Sequence, residues 1–246
     1  MVDRLFADAG LAALYDPMNP SDQRADYGFY LPPVMAAPSV LDVGCGTGSL
    51  LRPARQAGHD GQLCGVDPAV GMLEQARAHT GIEWILGDVG SVGPDRMFDL
   101  VVMAGHAFQV YVRDDELRTA LATIRSVLAD GGRFAFETRN PLARAWEDWT
   151  PDRSVEAVDD DGRLVRMVRE VEMPVTGDTA SFSHTFTGPG RTRPRISRST
   201  LRFLGADALS SFLSDAGLVI EEQYGDWDRS PLTGASPEII TIARSA

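Results

Sequence analysis

The chain lacks a cationic balance. Its 23 Lys and Arg stand against 35 Asp and Glu, a formal net charge of −12. Such a surface repels polyanions, which argues against general binding to nucleic acid or to an anionic membrane. Cysteine is nearly absent: Cys45 and Cys64 have neither C-x-x-C nor Cys/His metal spacing, so no disulfide framework and no metal site is expected. No apolar run approaches the roughly 18 residues that a bilayer span requires, and no charged-then-apolar leader opens the sequence. A cytoplasmic protein with no membrane partner is expected. Internal repeats and low-complexity linkers are missing too, and 246 residues suit one elaborated α/β domain better than two full-sized ones.

What is present centres on Ser39-Val40-Leu41-Asp42-Val43-Gly44-Cys45-Gly46-Thr47-Gly48. Val40 to Val43 reads as a short buried strand, followed by a glycine-rich turn and a helix from about Ser49. Glycines there permit positive φ and close approach of a ligand to the backbone, and a helix start offers unpaired N–H groups. The spacing narrows the ligand. A dinucleotide fingerprint needs glycine at 49, where Ser49 stands, and a P-loop needs a lysine after Gly48, where none follows.

Further strands line up behind the first. Gln62–Asp67 ends in an acid 19 residues beyond Gly48, placed where a carboxylate accepts from both hydroxyls of a ribose, although Asp67-Pro68 is also a good helix start. A helix over Pro68–Thr80 and a third strand, Ile82–Leu86, lead to Gly87-Asp88-Val89. There a carboxylate can accept from an adenine amine while the next backbone N–H donates to a ring nitrogen. Phe98–Ala104 is a nearly unbroken apolar run, as expected of a strand covered on both faces. A helix over Asp114–Ala129 opens on three acids and carries Leu117, Leu121, Ile124 and Leu128 on one face; Asp130-Gly131-Gly132 stops it before a fifth strand, Arg133–Thr138.

The D-x-G-x-G-x-G turn, both strand-end acids, and Leu-x-x-Gly-Gly before the fifth strand resemble, in that order from residue 39 to about 138, the class I S-adenosylmethionine-dependent methyltransferases of small-molecule type. The resemblance implies a doubly wound, seven-stranded, mostly parallel Rossmann-like sheet. It implies S-adenosylmethionine as cofactor, with S-adenosylhomocysteine as product. Its cofactor-binding set would be Tyr15, Gly44, Cys45, Gly46, Gly48, Asp67, Met72, Asp88, Val89 and Ala104. Tyr15 enters through a Tyr-Asp pair like that preceding the core of many such enzymes, where an aromatic face meets the sulfonium.

The flanking segments complete the plan. Residues 1–37 are expected as a helical cap, with one helical stretch closed by Asp16-Pro17 and a second over Tyr27–Val34. Residues 38–140 form the cofactor core. Between 141 and 204, four strand-like segments punctuated by Asp/Gly turns read as an inserted antiparallel sheet after the fifth strand, acting as a substrate lid or homodimer element. Residues 205–246 complete the core with helix Ala206–Ala216 and a terminal strand pair.

Methyl transfer from a sulfonium is an in-line displacement that positioning alone can accelerate. A hydroxyl or ammonium acceptor would need a base, and His106 after the fourth strand is the best placed. Its alternative is a loop histidine bonded to a carbonyl. His184 and Glu137 are weaker candidates. Trp146 and Trp149 could wall an apolar pocket or simply pack. Arg191, Arg193, Arg195 and Arg198 read as a charge-protected edge strand or as a site for an anionic substrate group. The expected activity is methyl transfer to N or O of a small molecule. The alternatives are an RNA or protein methyltransferase, disfavoured by acidity and by Ala104-Gly105-His106-Ala107 after the fourth strand, a cofactor-binding module without transfer, and an oxidoreductase using a nicotinamide dinucleotide, disfavoured by Ser49. Substrate, methylated atom and oligomeric state are not legible.

Overall fold

The structure, a computed structural model, describes residues 2–93, 95–188 and 193–246, with nothing said of the Asp22 side chain. Strands β1 (Ser39–Val43), β2 (Gln62–Asp67), β3 (Glu83–Leu86), β4 (Phe98–Met103), β5 (Leu128–Arg139), β10 (Leu218–Tyr224) and β11 (Glu238–Ser245) form one sheet in the order β10-β11-β5-β4-β1-β2-β3. The pairs among β1 to β5 are parallel, and β11 runs antiparallel between β5 and β10. This is the doubly wound, mostly parallel arrangement that the resemblance implies. Strand order reverses beside β1, so the turns after β1 and β4 open at the switch point where ligands lodge in such sheets.

Both faces are covered. Leu41, Val43, Val101 and Phe134 pack with helix α7 (Asp114–Ser126) and helix α8 (Ala206–Asp215), while Val40, Val102, Ala135 and Ile240 pack with helix α4 (Ala25–Ala36) and helix α5 (Leu51–Gln56). Alternate residues of each strand therefore meet apolar partners on opposite sides, which explains the uninterrupted hydrophobicity of β4. The expected helix over Asp114–Ala129 stops earlier, at Ser126. The Phe98 amide already donates to the Val127 carbonyl at 2.8 Å, Leu128 pairs with Phe98, and the strand bulges through Gly131 at φ +77° before Arg133 pairs with Leu100. Helix α6 (Val70–Ala76) is likewise shorter than the spacing predicts.

The second sheet is antiparallel, β6 (Ser154–Val158), β7 (Leu164–Val171), β8 (Thr179–Thr187) and β9 (Arg195–Arg202) in sequential order. Its pleat sends Val165, Met167 and Arg169 of β7, with Phe182, His184 and Phe186 of β8, to one face. Three short N-terminal helices, α1 (Arg4–Ala7), α2 (Ala9–Ala12) and α3 (Tyr15–Met18), join that face to the main sheet. Leu5 and Leu14 pack on Met167 and Phe186, and the Leu5 amide donates to Ser197 Oγ at 2.8 Å. Asp16-Pro17 does not end a helix as the sequence suggests. Both lie in the first turn of α3, where proline's missing N–H has no intrahelical partner to lose.

Candidate active site

The glycine turn leaves β1 with Gly44, Gly46 and Gly48 all at positive φ, 78°, 56° and 77°. A Cβ on Gly44 would stand 2.8 Å from Ala107 Cβ, so the turn closes against the loop after β4. Asp67, at the end of β2, accepts from the Gly46 amide at 2.8 Å and the Ala69 amide at 2.7 Å, one bond to each carboxylate oxygen. Each oxygen keeps a second lone pair. Burial pushes the Asp67 carboxyl upward, and the two amide bonds oppose that. Asp42, beneath the turn, is pushed up to about 8 by burial and by the charge of Asp67. The turn is also tied to the N-terminal segment, because Thr47 Oγ1 donates to Asp16 Oδ1 at 2.6 Å.

One cavity of about 1360 Å³ runs along these strand ends and under the inner face of the second sheet. Tyr15, Gly44, Cys45, Gly46, Asp67, Met72, Asp88, Val89, Ala104 and His106 all line it. Gly48 does not. A Cβ there would fall 2.3 Å from Trp84 Cη2, so this glycine exists for the indole packed on it rather than for the cavity. Asp88 is exposed at the cavity rim, and Val89 beside it is buried.

His106 occupies a left-handed position, φ +62°. Its amide donates to Glu137 Oε1 at 2.6 Å, and Tyr30 Oη donates to Glu137 Oε2 at 2.5 Å. Glu137 is fully buried and both oxygens are occupied, so it holds the loop after β4 rather than facing a reactant. The His106 ring lies 3.0 Å from Glu238 Oε2 through Nε2. Burial, helped by Arg139, lowers the imidazole to about 3, and burial, opposed by Arg139, raises Glu238 to about 8. We read the contact as a neutral hydrogen-bonded pair, since desolvation penalises charge on both groups.

His184 lies on the inner face of β8, not toward solvent, and is lowered to about 3 by burial and by Arg169. Trp149 lines the cavity and packs on Phe182 at 4.5 Å, whereas Trp146 packs edge-on against Phe203 at 4.7 Å and takes no part in the lining. The arginine cluster of β9 disperses. Arg195 pairs with Asp8, Arg198 lies 3.3 Å from Glu172, Arg193 is exposed, and Arg191 lies outside the described residues. Sequence reasoning missed Arg139 and Arg169, which both line the cavity. Arg139 was findable, two residues beyond Glu137 at the end of the fifth strand. Arg169 was not, because nothing in the sequence fixes which face of the insert looks inward. Among the described residues no group of three or more His, Cys, Asp or Glu is placed to hold a metal, and no helix is long and apolar enough to cross a membrane.

Residues 40–132 match the family model of a methyltransferase domain. That segment runs from β1 into β5 and holds the glycine turn. Among curated relatives, the chain is similar to aklanonic acid methyltransferase DauC of Streptomyces sp. (strain C5), 38% identical over 114 residues that cover 43% of this chain and 49% of that protein. The chain spans about half the length of the curated relatives it matches first. Among solved structures, the CcbJ methyltransferase of Streptomyces caelestis superposes over the whole of both chains with a TM-score of 0.78 at 21% identity. The sugar N-methyltransferase KedS8 of Streptoalloteichus sp. matches 92% of this chain and 91% of its own with a TM-score of 0.68 at 20% identity. The fold, inserted sheet included, is thus shared with these two methyltransferases.

Proposed function

We propose that the protein is an S-adenosylmethionine-dependent methyltransferase that transfers a methyl group to N or O of a small molecule. The observation that carries this reading is the convergence on one cavity of the glycine turn, Asp67, Asp88 with Val89, and the end of β4. The cofactor would supply an electrophilic methyl on a sulfonium. The residues suit it: Gly44 and Gly46 keep Cβ atoms out of the turn, Asp67 keeps two lone pairs for ribose hydroxyls, and the Asp88 carboxylate with the Val89 amide suits an adenine edge. Tyr15, Cys45, Met72 and Ala104 would close the walls around it. Gly48 is left out of this set for its packing role.

Residues 38–140 and 205–246 would act as the cofactor core under an N-terminal cap. The insert is read as a lid rather than a dimer element, because Met167, Arg169, Phe182, His184 and Phe186 of its inner face line the same cavity. Such a cover holds the acceptor in line with the methyl carbon and keeps water out, which supplies much of the acceleration. His106 would take a proton where the acceptor carries one, with Glu238 as its partner. The named activities of similar proteins agree with this class, since they include O-methyltransferases and a sugar N-methyltransferase.

Parallel calorimetric titrations with S-adenosylmethionine, S-adenosylhomocysteine and NAD test the reading. Binding of both sulfur cofactors without NAD supports it. Binding of NAD alone sinks it, and binding of none returns the chain to a module without transfer. Turnover on RNA or on protein, with no small-molecule acceptor found, would move the reading to the macromolecular alternative.

A further inference from the structure

Arg139 and Arg169 stand on the cavity wall from opposite sheets, Arg139 at the end of β5 and Arg169 on the inner face of β7. They flank one indole: their guanidinium carbons lie 5.5 and 5.3 Å from the Trp149 ring centroid. The chain holds no lysine, so all 23 of its cationic side chains other than histidine are arginines, and its 35 acids outnumber them. Even so, neither Arg139 nor Arg169 has a carboxylate within ion-pair distance among the described residues.

The partners they do have are neutral. Arg139 Nη1 donates to Gln109 Oε1 at 2.8 Å, and Gln109 is held with its oxygen inward because its amide donates to the Arg202 carbonyl at 2.8 Å. Arg169 Nε donates to His184 Nε2 at 3.1 Å. Its terminal nitrogens make no hydrogen bond to the described residues. Since Nε2 accepts, the proton of neutral His184 sits on Nδ1, and that atom is buried without a partner on a side chain only 5% exposed. The Arg169 terminal nitrogens are therefore left without an acceptor on a residue that lines the cavity with Arg139, and His184 Nδ1 is an orphaned donor buried beside them. Burial, opposed by Glu238 and helped by the neighbouring Arg169 charge, lowers Arg139 to about 10, and burial lowers Arg169 as well. Two like charges taken partly out of water with no carboxylate in ion-pair contact destabilise the empty protein. A guanidinium fork supplies paired, planar donors to a carboxylate or a phosphate.

On the proposed methyltransferase reading, we infer that the methyl acceptor carries a carboxylate or phosphate group, bound by Arg139 and Arg169, with His184 holding the Arg169 guanidinium in place through Nε2. The anion serves to anchor the acceptor at the lid end of the cavity, away from the glycine turn, so that its nucleophile points along the strand ends. The cofactor's own methionyl carboxylate is the other source of the same chemistry. Arg24 stands nearer that end, 3.1 Å from where a Gly105 Cβ would lie, but it is already forked onto Asp26.

The test uses the full chain with inorganic phosphate and acetate as probes, by calorimetry and thermal melting, with and without S-adenosylhomocysteine. Phosphate or acetate is expected to bind and raise the Tm. Arg169→Gln is expected to weaken that binding at least tenfold, to raise the Tm of the anion-free protein by removing an uncompensated charge, and to leave S-adenosylhomocysteine affinity unchanged. Arg169→Lys should recover part of the anion binding, which loss of folding could not mimic, and Arg139→Gln should repeat the loss. Anion binding that is equal in wild type and Arg169→Gln overturns the site. A tenfold loss of S-adenosylhomocysteine affinity in Arg169→Gln overturns the acceptor assignment and gives the pair to the cofactor. If wild type binds phosphate through the pair but no S-adenosylhomocysteine, the anion site stands and the methyltransferase reading fails.

Discussion

Gly46 and Gly48 stand two residues apart in one turn with the same sign of φ, yet alanine should fail differently at each. At Gly48 the new Cβ meets the rigid Trp84 ring at 2.3 Å on a left-handed backbone. Gly48→Ala is expected to destabilise the fold by about 2–4 kcal/mol, from backbone strain plus overpacking, read as a lower Tm. At Gly46 the nearest atom is Met72 Cε at 3.1 Å, the far end of a flexible side chain on the cavity wall. Gly46→Ala should cost only about 1–2 kcal/mol in stability, while S-adenosylhomocysteine affinity, measured by calorimetry, falls sharply because the methyl occupies the cradle. Asp67→Ala should weaken the same binding by roughly 1.5–3 kcal/mol, the range for hydrogen bonds to a charged group. Unchanged affinity in a folded Asp67→Ala protein would remove the ribose assignment. His106 carries a pH prediction. While Glu238 is protonated, its O–H donates to Nε2 and the imidazole proton sits on Nδ1; once ionised, the carboxylate accepts from Nε2–H and frees Nδ1 to take a proton. Turnover on a proton-bearing acceptor should therefore rise with pH through about 8, the value to which burial raises Glu238. Glu238→Gln should abolish that inflection, and His106→Ala should cost roughly 10²–10⁴-fold in turnover without loss of cofactor affinity. A flat profile would leave positioning as the mechanism.

Helix α4 is tied to the loop after β4 by a hydrogen-bond relay. Tyr30 bonds Glu137 of β5, and Glu137 holds the His106 amide in the left-handed turn after β4. Tyr30→Phe leaves one Glu137 oxygen buried without its donor, so a loss of about 1–3 kcal/mol in stability is expected by chemical denaturation, together with weaker binding at the β4 end. The relay also marks what a sequence can and cannot disclose. The strand-end acids were legible because a parallel sheet puts the carboxyl ends of β1, β2 and β3 on one edge whatever the side chains do. The apolar run of β4 and the Asp/Gly turns of the insert were legible for similar local reasons. Glu137, by contrast, reads as a candidate reactant from its strand-end position, and only its two bonds, made across 107 and 31 residues, reveal a structural role. Gly48 looked like part of a ligand cradle because its neighbours are; the Trp84 ring that requires it comes from another strand. Arg169 was invisible for want of register, since a one-residue slip in β7 would turn it to solvent. Local periodicity carried the architecture, and long-range pairing carried the site.

At the scale of the whole molecule, the buried titratable groups around the cavity oppose one another in pH. Asp42 and Glu238 have folded values near 8, raised from 3.8 and 4.5, so they bind protons more readily folded than unfolded. Their contribution is fully present below pH 4 and is lost as pH rises toward 8. His106 and His184 have folded values near 3, lowered from 6.5, so their contribution is present above 6.5 and is lost as pH falls. Between about pH 4 and 6.5 the two pairs pull in opposite directions and largely offset. Above 6.5 the histidines are neutral in both states and only the acids act, so stability should decline from pH 6.5 to 8. Thermal melting of the ligand-free protein across that interval is expected to give a falling Tm, and Asp42→Asn should flatten the decline by removing one of the two acids. A Tm that climbs from pH 6.5 to 8 would mean that the cavity acids are already ionised and solvated, and the neutral His106–Glu238 pair would have to be replaced by an ion pair.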